Sequence, residues 1–260
     1  MSETSQSGLG KSGPRCIAIV GPFASGKTSL LEELLLRCGA LEKAGTVDGG
    51  STLGDGAPEA RKLGMSVEVN VAEAEFLGDH YTFIDCPGSV EFGYESLPVI
   101  AGVDAAIVVA EPDEKKIPAL QVMMRELEER GIPRFLFLNK IDKASMGIRD
   151  ALALLQQASD KPLVLRQLPI WNDGIATGFI DLALDRAFVY QEHAPSTVIE
   201  LPSDDEARRD EARFSMLETL ADHDDELMEQ LLEDIEPPRD AVFNDLVTEM
   251  REGLIVPVFI

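Results

Sequence analysis

The spacing of apolar residues along this chain of 260 residues changes period several times. Arg15 to Val20 is a short apolar run that stops at a glycine-rich loop, which predicts a buried strand. From Lys27 the pattern turns helical. Leu30, Leu31, Leu34 and Leu35 share one face, and Gly39 offers a C-cap. Residues 40–65 hold no steady period and contain breakers at Asp48-Gly49-Gly50 and Asp55-Gly56. A loop that long inside a compact domain is as a rule functional or mobile. Val67, Val69 and Val71 then alternate with polar residues and predict a half-buried strand. Gly78-Asp79 turns the chain, and Tyr81 to Ile84 completes a hairpin.

Further on, Ala105 to Ala110 reads as a strand, Ile117 to Arg130 as a helix closed by Gly131, and Arg134 to Leu138 as a strand ending on Asn139. Met146 to Gln157 is helical in pattern, and Leu163 to Leu165 is strand-like. Strands alternating with helices predict an α/β fold, three layers α/β/α around a mostly parallel sheet. In such sheets the functional loops gather at the carboxyl ends of the strands. After Leu168 the texture shifts. A β-like segment from Gly178 to Val189 leads into an acidic linker and a helix from Glu206 to Ala221. A second helix starts near Asp225, with Asp224 as its N-cap, and stops before Pro237-Pro238. A helix from Asp240 to Glu252 and an apolar strand from Leu254 to Ile260 follow, and no internal repeat is present.

Composition narrows the classes. Hydrophobic content of 45% and charged content of 27% suit a soluble globular chain. No apolar run is long enough to span a membrane. Met1 to Gly13 is Ser- and Gly-rich without an apolar core, so a disordered leader is expected rather than a signal peptide. The three cysteines lack metal-ligand spacing and fit reduced thiols in a cytoplasmic protein. A net charge of −24 argues against DNA and against broad RNA binding, while leaving room for a local RNA contact. Residues 200–236 carry 15 acids and 3 bases. That stretch reads either as a solvated acidic face or as a docking surface for a basic partner. A monomer is expected.

Three motifs carry chemistry. Gly21-Pro22-Phe23-Ala24-Ser25-Gly26-Lys27-Thr28, followed by Ser29, has the spacing of a phosphate-binding P-loop between a strand and a helix. Its backbone amides and the helix N-terminus suit phosphate. Lys27 is placed to reach the β- and γ-phosphates, and the Thr28 hydroxyl to bind Mg²⁺. Asp85-Cys86-Pro87-Gly88 ends a strand where the second magnesium-side carboxylate of P-loop NTPases belongs, with the Gly88 amide available to the γ-phosphate. Asn139-Lys140-Ile141-Asp142 follows another strand. Guanine presents two donors that one carboxylate, Asp142, accepts together. Adenine offers an acceptor there, and such a buried mismatch costs about 10⁴–10⁵ in selectivity. Asn139 can bridge base and P-loop, and the Lys140 stem can cover the base. The ligand read from these residues is GTP or GDP with Mg²⁺; an ATP-using P-loop kinase is disfavoured by Asp142.

The flanks resemble the translational GTPases, and within them elongation factor G and its relatives. Phe83-Ile84-Asp85-Cys86-Pro87-Gly88-Ser89-Val90-Glu91-Phe92 is similar to their switch II, and Arg61-Lys62-Leu63-Gly64-Met65-Ser66-Val67 to their switch I. Gln167 to Ile170, Gly178 to Leu182, Glu226 to Glu229 and Gly253 to Val258 resemble the borders and body of the family's inserted subdomain. The resemblance implies a leader over 1–13, a GTP-binding core over 14–168, an acidic α+β insert resembling the G-prime subdomain over 169–250, and a return strand over 251–260. It implies that Ser66 completes the Mg²⁺ shell with Thr28 and, through water, Asp85. It places Lys27, Gly88 and the Ser89 position on the catalytic side. The implied partners are the ribosome, through local RNA contact, and its stalk protein, facing the insert.

Three departures from the family stand out. The switch II histidine that orients the attacking water is Ser89, and the P-loop aspartate that holds a monovalent cation is Ala24. Positioned proton-transfer or water-orienting groups contribute about 10²–10⁴ in rate. Binding retained with hydrolysis weakened is therefore expected. The chain also ends at Ile260, before the family's last G-domain motif, which implies a truncated G domain whose final apolar strand lacks a covering helix. Two readings stay open: a GTP-hydrolysing translation factor, and a regulatory module that binds GTP and barely hydrolyses it.

Overall fold

The computed structural model describes residues 15–53, 66–89, 93–191, 194–202 and 205–260. The expected leader, most of the switch I stretch and residues 90–92 of switch II lie outside them. Chain order gives β1 (Arg15–Val20), α1 (Lys27–Arg37), β2 (Asn70–Phe76), β3 (Asp79–Asp85), α2 (Gly93–Ile100), β4 (Ala105–Ala110), α3 (Ile117–Glu129), β5 (Arg134–Leu138), α4 (Ile148–Gln156) and β6 (Leu163–Leu165). Then come β7 (Gln167–Asn172), β8 (Ile175–Asp181), β9 (Arg186–Gln191), β10 (Ala194–Ile199), α5 (Glu206–Ala221), α6 (Asp225–Leu232), α7 (Arg239–Glu252) and β11 (Val256–Phe259).

The first sheet has seven strands in the order β2-β3-β1-β4-β5-β11-β6. Among these strands only the β2–β3 pair is antiparallel. Period-two alternation sorts their residues onto two cores. Ala18, Val20, Ala106, Val108, Leu136 and Leu138 face one side with Leu120, Met124 and Leu127 of α3 and Leu155 of α4. Ile19, Phe83, Ile107 and Val109 face Leu31 and Leu35 of α1. This is the P-loop NTPase α/β fold, three layers around a mostly parallel sheet, with an inserted antiparallel sheet of order β10-β9-β8-β7. Leu168, Ile170, Ile180 and Ala187 of that second sheet pack on Met216, Leu217, Leu220, Leu227, Val242 and Leu246 of α5, α6 and α7.

Several sequence expectations are corrected. The valines at 67, 69 and 71 do not form the buried face of a strand. β2 begins at Asn70, Val71 is 62% exposed, and Ala72 and Ala74 are buried. The pairing of Ala72 with Phe83 and of Ala74 with Tyr81 sets this register, and a one-residue slip reverses every side chain. The hairpin turns on Leu77 and Gly78, both at positive φ, and Asp79 already belongs to β3. The helix expected from Met146 starts at Ile148. The single β-like segment from Gly178 to Val189 is two strands joined by a turn with Asp185 at φ 50°. The supposed acidic linker contains β10. The terminal strand β11 runs between β5 and β6, with Val256 and Val258 fully buried. No helix is long and apolar enough to cross a membrane among the described residues.

Candidate functional site

Four parallel strands end side by side, because Ile19 pairs with Asp85, Val20 with Val108, and Ala110 with Leu138. Their C-terminal loops form one crevice where the strand order reverses, the usual ligand position in open α/β sheets. It is a cleft of about 560 Å³ lined by Phe23, Ala24, Gly26 to Ser29, Gly88 and Lys140, with Glu33, residues 45–48, Ser66 and Lys143 on its walls.

The P-loop wraps a buried lysine. Lys27 is 6% exposed, and its ammonium donates to the Pro22 carbonyl at 3.1 Å. Burial pushes its pKa down, opposed by the charge of Asp85. Thr28 Oγ1 donates to Asp85 Oδ2 at 2.7 Å and lies 3.3 Å from Ser66 Oγ. Asp85 is fully buried, as are Ser25 and, at 1% exposure, Cys86. The Cys86 thiol is pushed up to about 12, by burial first and then by Asp85, so it stays protonated. Gly88 must be glycine: a Cβ there would meet Lys27 Nζ at 2.3 Å and the Gly21 carbonyl at 2.8 Å.

The third motif clamps the first. Asn139 Nδ2 donates to the Ser25 carbonyl at 2.8 Å, and a Cβ on Gly26 would sit 2.1 Å from that same nitrogen. Lys140, at φ 58°, donates its ammonium to the Ala24 carbonyl. Two groups that the motifs did not reveal complete the clamp. Glu111 pairs with both Lys140 and Lys116, and Lys116 donates to the Phe23 carbonyl at 2.8 Å. Burial alone would raise the Glu111 pKa, but the two lysines hold it below the usual value. Its place directly after β4, at the carboxyl edge, was the available signal.

The oxygen donors suit magnesium and triphosphate. Hydroxyls of Thr28 and Ser66 with one carboxylate form a hard oxygen set. Among the described residues no group of three or more His, Cys, Asp or Glu side chains could hold a softer metal. Among the described residues the buried Ser25 Oγ has no hydrogen-bond partner, and the main charge opposing the desolvation of Lys27 is that of Asp85.

The structure does not bring every predicted residue into this cleft. Asp142 is exposed and lines a neighbouring hollow of about 290 Å³ with Ile141, Met146, Trp171 and Arg208. Ser89 lines another hollow, of about 240 Å³, with Val20, Cys86, Pro87, Leu97, Ile100 and Met123.

Comparison with known proteins identifies the family. Over 244 residues the chain is 38% identical to an elongation factor G-like protein of Synechocystis sp. (strain ATCC 27184 / PCC 6803 / Kazusa), covering 94% of this chain and 36% of that protein. A solved chain from Thermus thermophilus superposes with a TM-score of 0.82 at 30% identity, over 94% of this chain and 37% of its own. The chain thus spans little more than a third of the length of these relatives. Residues 13–237 match the model of the elongation factor Tu GTP binding domain, and the chain belongs to that family of guanine-nucleotide-binding translational GTPase domains.

Proposed function

We propose that this chain is the nucleotide switch of a ribosome-acting translation factor in the cytoplasm, binding Mg²⁺-GTP and GDP and turning GTP over slowly. One observation carries the reading. The desolvated ammonium of Lys27 sits beside Thr28, Asp85 and Ser66 under a cleft whose mouth is clamped by Asn139 and Lys140. Lys27 and the P-loop amides hold the phosphates. Thr28 and Ser66, with Asp85 through water, are the residues that would hold Mg²⁺, which would supply positive charge against the phosphate oxygens. Asp142 reads the guanine edge, and the acidic helices of the insert face the stalk protein of the ribosome. The placement of Ser89 favours a second reading, a GTP-binding module with impaired hydrolysis. Its side chain lines an apolar hollow rather than the cleft, and it carries no imidazole.

Titration with GTP, GDP and ATP should show guanine nucleotides bound at least about 10³-fold more tightly than ATP. Single-turnover hydrolysis on ribosomes should be slow for the wild type and rise by about tenfold or more in Ser89→His. Equal affinity for ATP would overturn the ligand. A fast wild-type rate, or a Ser89→His variant that gains nothing, would overturn the role given to Ser89.

A further inference from the structure

We infer that Glu32 is a positioning residue that holds residues 45–53 as a wall of the nucleotide cleft and thereby sets how long the nucleotide stays bound. This rests on the cleft being the nucleotide site. Glu32 lies on α1 one helical turn past Thr28 and is only 2% exposed. A carboxylate with that little water is costly unless its oxygens are occupied. Both are occupied, by the two ends of one loop. Oε2 accepts from the Gly45 amide at 2.7 Å, and Oε1 accepts from the Leu53 amide at 2.5 Å.

Between those ends the loop is tied to itself. The Thr46 amide donates to Ser51 Oγ at 3.0 Å, the Gly49 amide to Thr46 Oγ1 at 3.2 Å, and the Gly50 amide to the Val47 carbonyl at 3.0 Å. Gly45 is in close contact across the arc, where a Cβ would sit 2.2 Å from the Ser51 carbonyl. The arc is closed by its own hydrogen bonds, and Glu32 ties it to the helix that carries Lys27 and Thr28. Gly45, Thr46, Val47 and Asp48 of this arc line the cleft together with the P-loop residues. One helix therefore carries Lys27 and Thr28 at its start and the anchor of the arc a turn later. Hydrogen bonds to a charged group contribute about 1.5–3 kcal/mol each. Releasing the arc would open the cleft without touching Lys27, Thr28 or the Asn139 clamp.

The test is stopped-flow release of a fluorescent GDP analogue from the full chain, for wild type, Glu32→Gln, Glu32→Ala and Gly45→Ala. Glu32→Gln keeps the shape but turns one acceptor into a donor aimed at an amide. Release should accelerate about tenfold to a hundredfold in each variant. Glu32→Gln combined with Gly45→Ala should fall short of the product of the two, because both act through one arc. Hydrogen exchange supplies the second measurement: GDP should slow exchange at the Gly45 and Leu53 amides of the wild type, and this protection should be lost in Glu32→Gln. Release within twofold of wild type in a folded variant overturns the assignment, as does faster exchange at those amides without faster release. Should the variants fail to fold, wild-type amides indifferent to GDP overturn it. A wild type that binds no guanine nucleotide is a different failure, of the ligand reading itself.

Discussion

The two sheets treat buried charge in opposite ways. At the start of the inserted unit, Arg166 and Asp181 form a two-pronged pair at 2.9 and 3.2 Å, and Asp181 Oδ1 also accepts the amides of Ala183 and Leu184 at 3.0 and 2.8 Å. The Arg166 backbone ties the pair to both sheets, donating to the Val258 carbonyl and accepting from the Leu182 amide. The set is closed on itself. In the P-loop after β1, Lys27 keeps one carbonyl at 3.1 Å, and Ser25 Oγ has no hydrogen-bond partner among the described residues. A buried polar group satisfied on all sides is architecture; one left short is a candidate for a functional role.

Removing one member of each set should separate the two cases. Asp181→Ala strands a buried guanidinium and should cost about 3–5 kcal/mol of stability. At about 2–4 °C per kcal/mol for a chain of this size class, the melt falls by roughly 10 °C. GDP affinity, measured where the variant is still folded, should be unchanged. Lys27→Ala should do the reverse. GDP and GTP affinity should drop at least about a hundredfold, as truncating one partner of a buried charge contact does. The ligand-free melt should hold or rise, since a desolvated ammonium is removed. A ligand-free melt that falls as far as that of Asp181→Ala would erase the distinction.

The contrast also explains what could be read in advance. The P-loop, Asp85 and Asn139 could be singled out because phosphate- and guanine-binding motifs have fixed residue types at fixed spacing. The strands of the first sheet were legible because burial on both faces makes them continuous apolar runs. The second sheet obeys neither rule. Its edge strands β7 and β10 carry Pro169 and Pro195, which weaken a strand reading, yet an edge tolerates proline because one side needs no partner. Pro98 hid α2 in the same way. Glu111, Lys116 and Glu32 were invisible because they act on backbone groups distant in sequence, and no spacing encodes that. Asp142 was legible as a residue, while its position beside Trp171 and Arg208 depends on how the insert packs.

Glu249 sharpens the comparison, because it is a buried carboxyl group within the insert that is not fully satisfied among the described residues. It is 4% exposed on α7, and its Oε2 lacks a partner. Burial, then the charges of Asp245, Asp224, Glu252 and Asp222, raise its pKa to about 8. The folded chain thus holds a proton that the unfolded chain gives up in the usual carboxylate range. Stability from this group is complete below that range, declines as pH rises through the window, and reaches its floor above about 8. The slope within the window is at most about 1.4 kcal/mol per pH unit. Glu249→Gln should flatten the melting temperature between pH 5 and 9 and raise it at the alkaline end. A variant that tracks the wild type at every pH would show that Glu249 ionises freely.

The smallest effect is expected from a pair that joins the two regions in full view of solvent. Arg149 of α4 and Glu211 of α5 form an ion pair with side chains 75% and 62% exposed. Water screens the attraction, and ordering two long side chains offsets much of what remains. Arg149→Ala should move stability by about 0.5 kcal/mol or less, and a double-mutant cycle with Glu211→Ala should give a coupling of the same size that vanishes in high salt. The Arg166–Asp181 pair, run through the same cycle, should couple several times more strongly and hardly respond to salt. Equal couplings would mean that the insert is held to the sheet by its surface charges, and that the closed buried set contributes nothing beyond its shape.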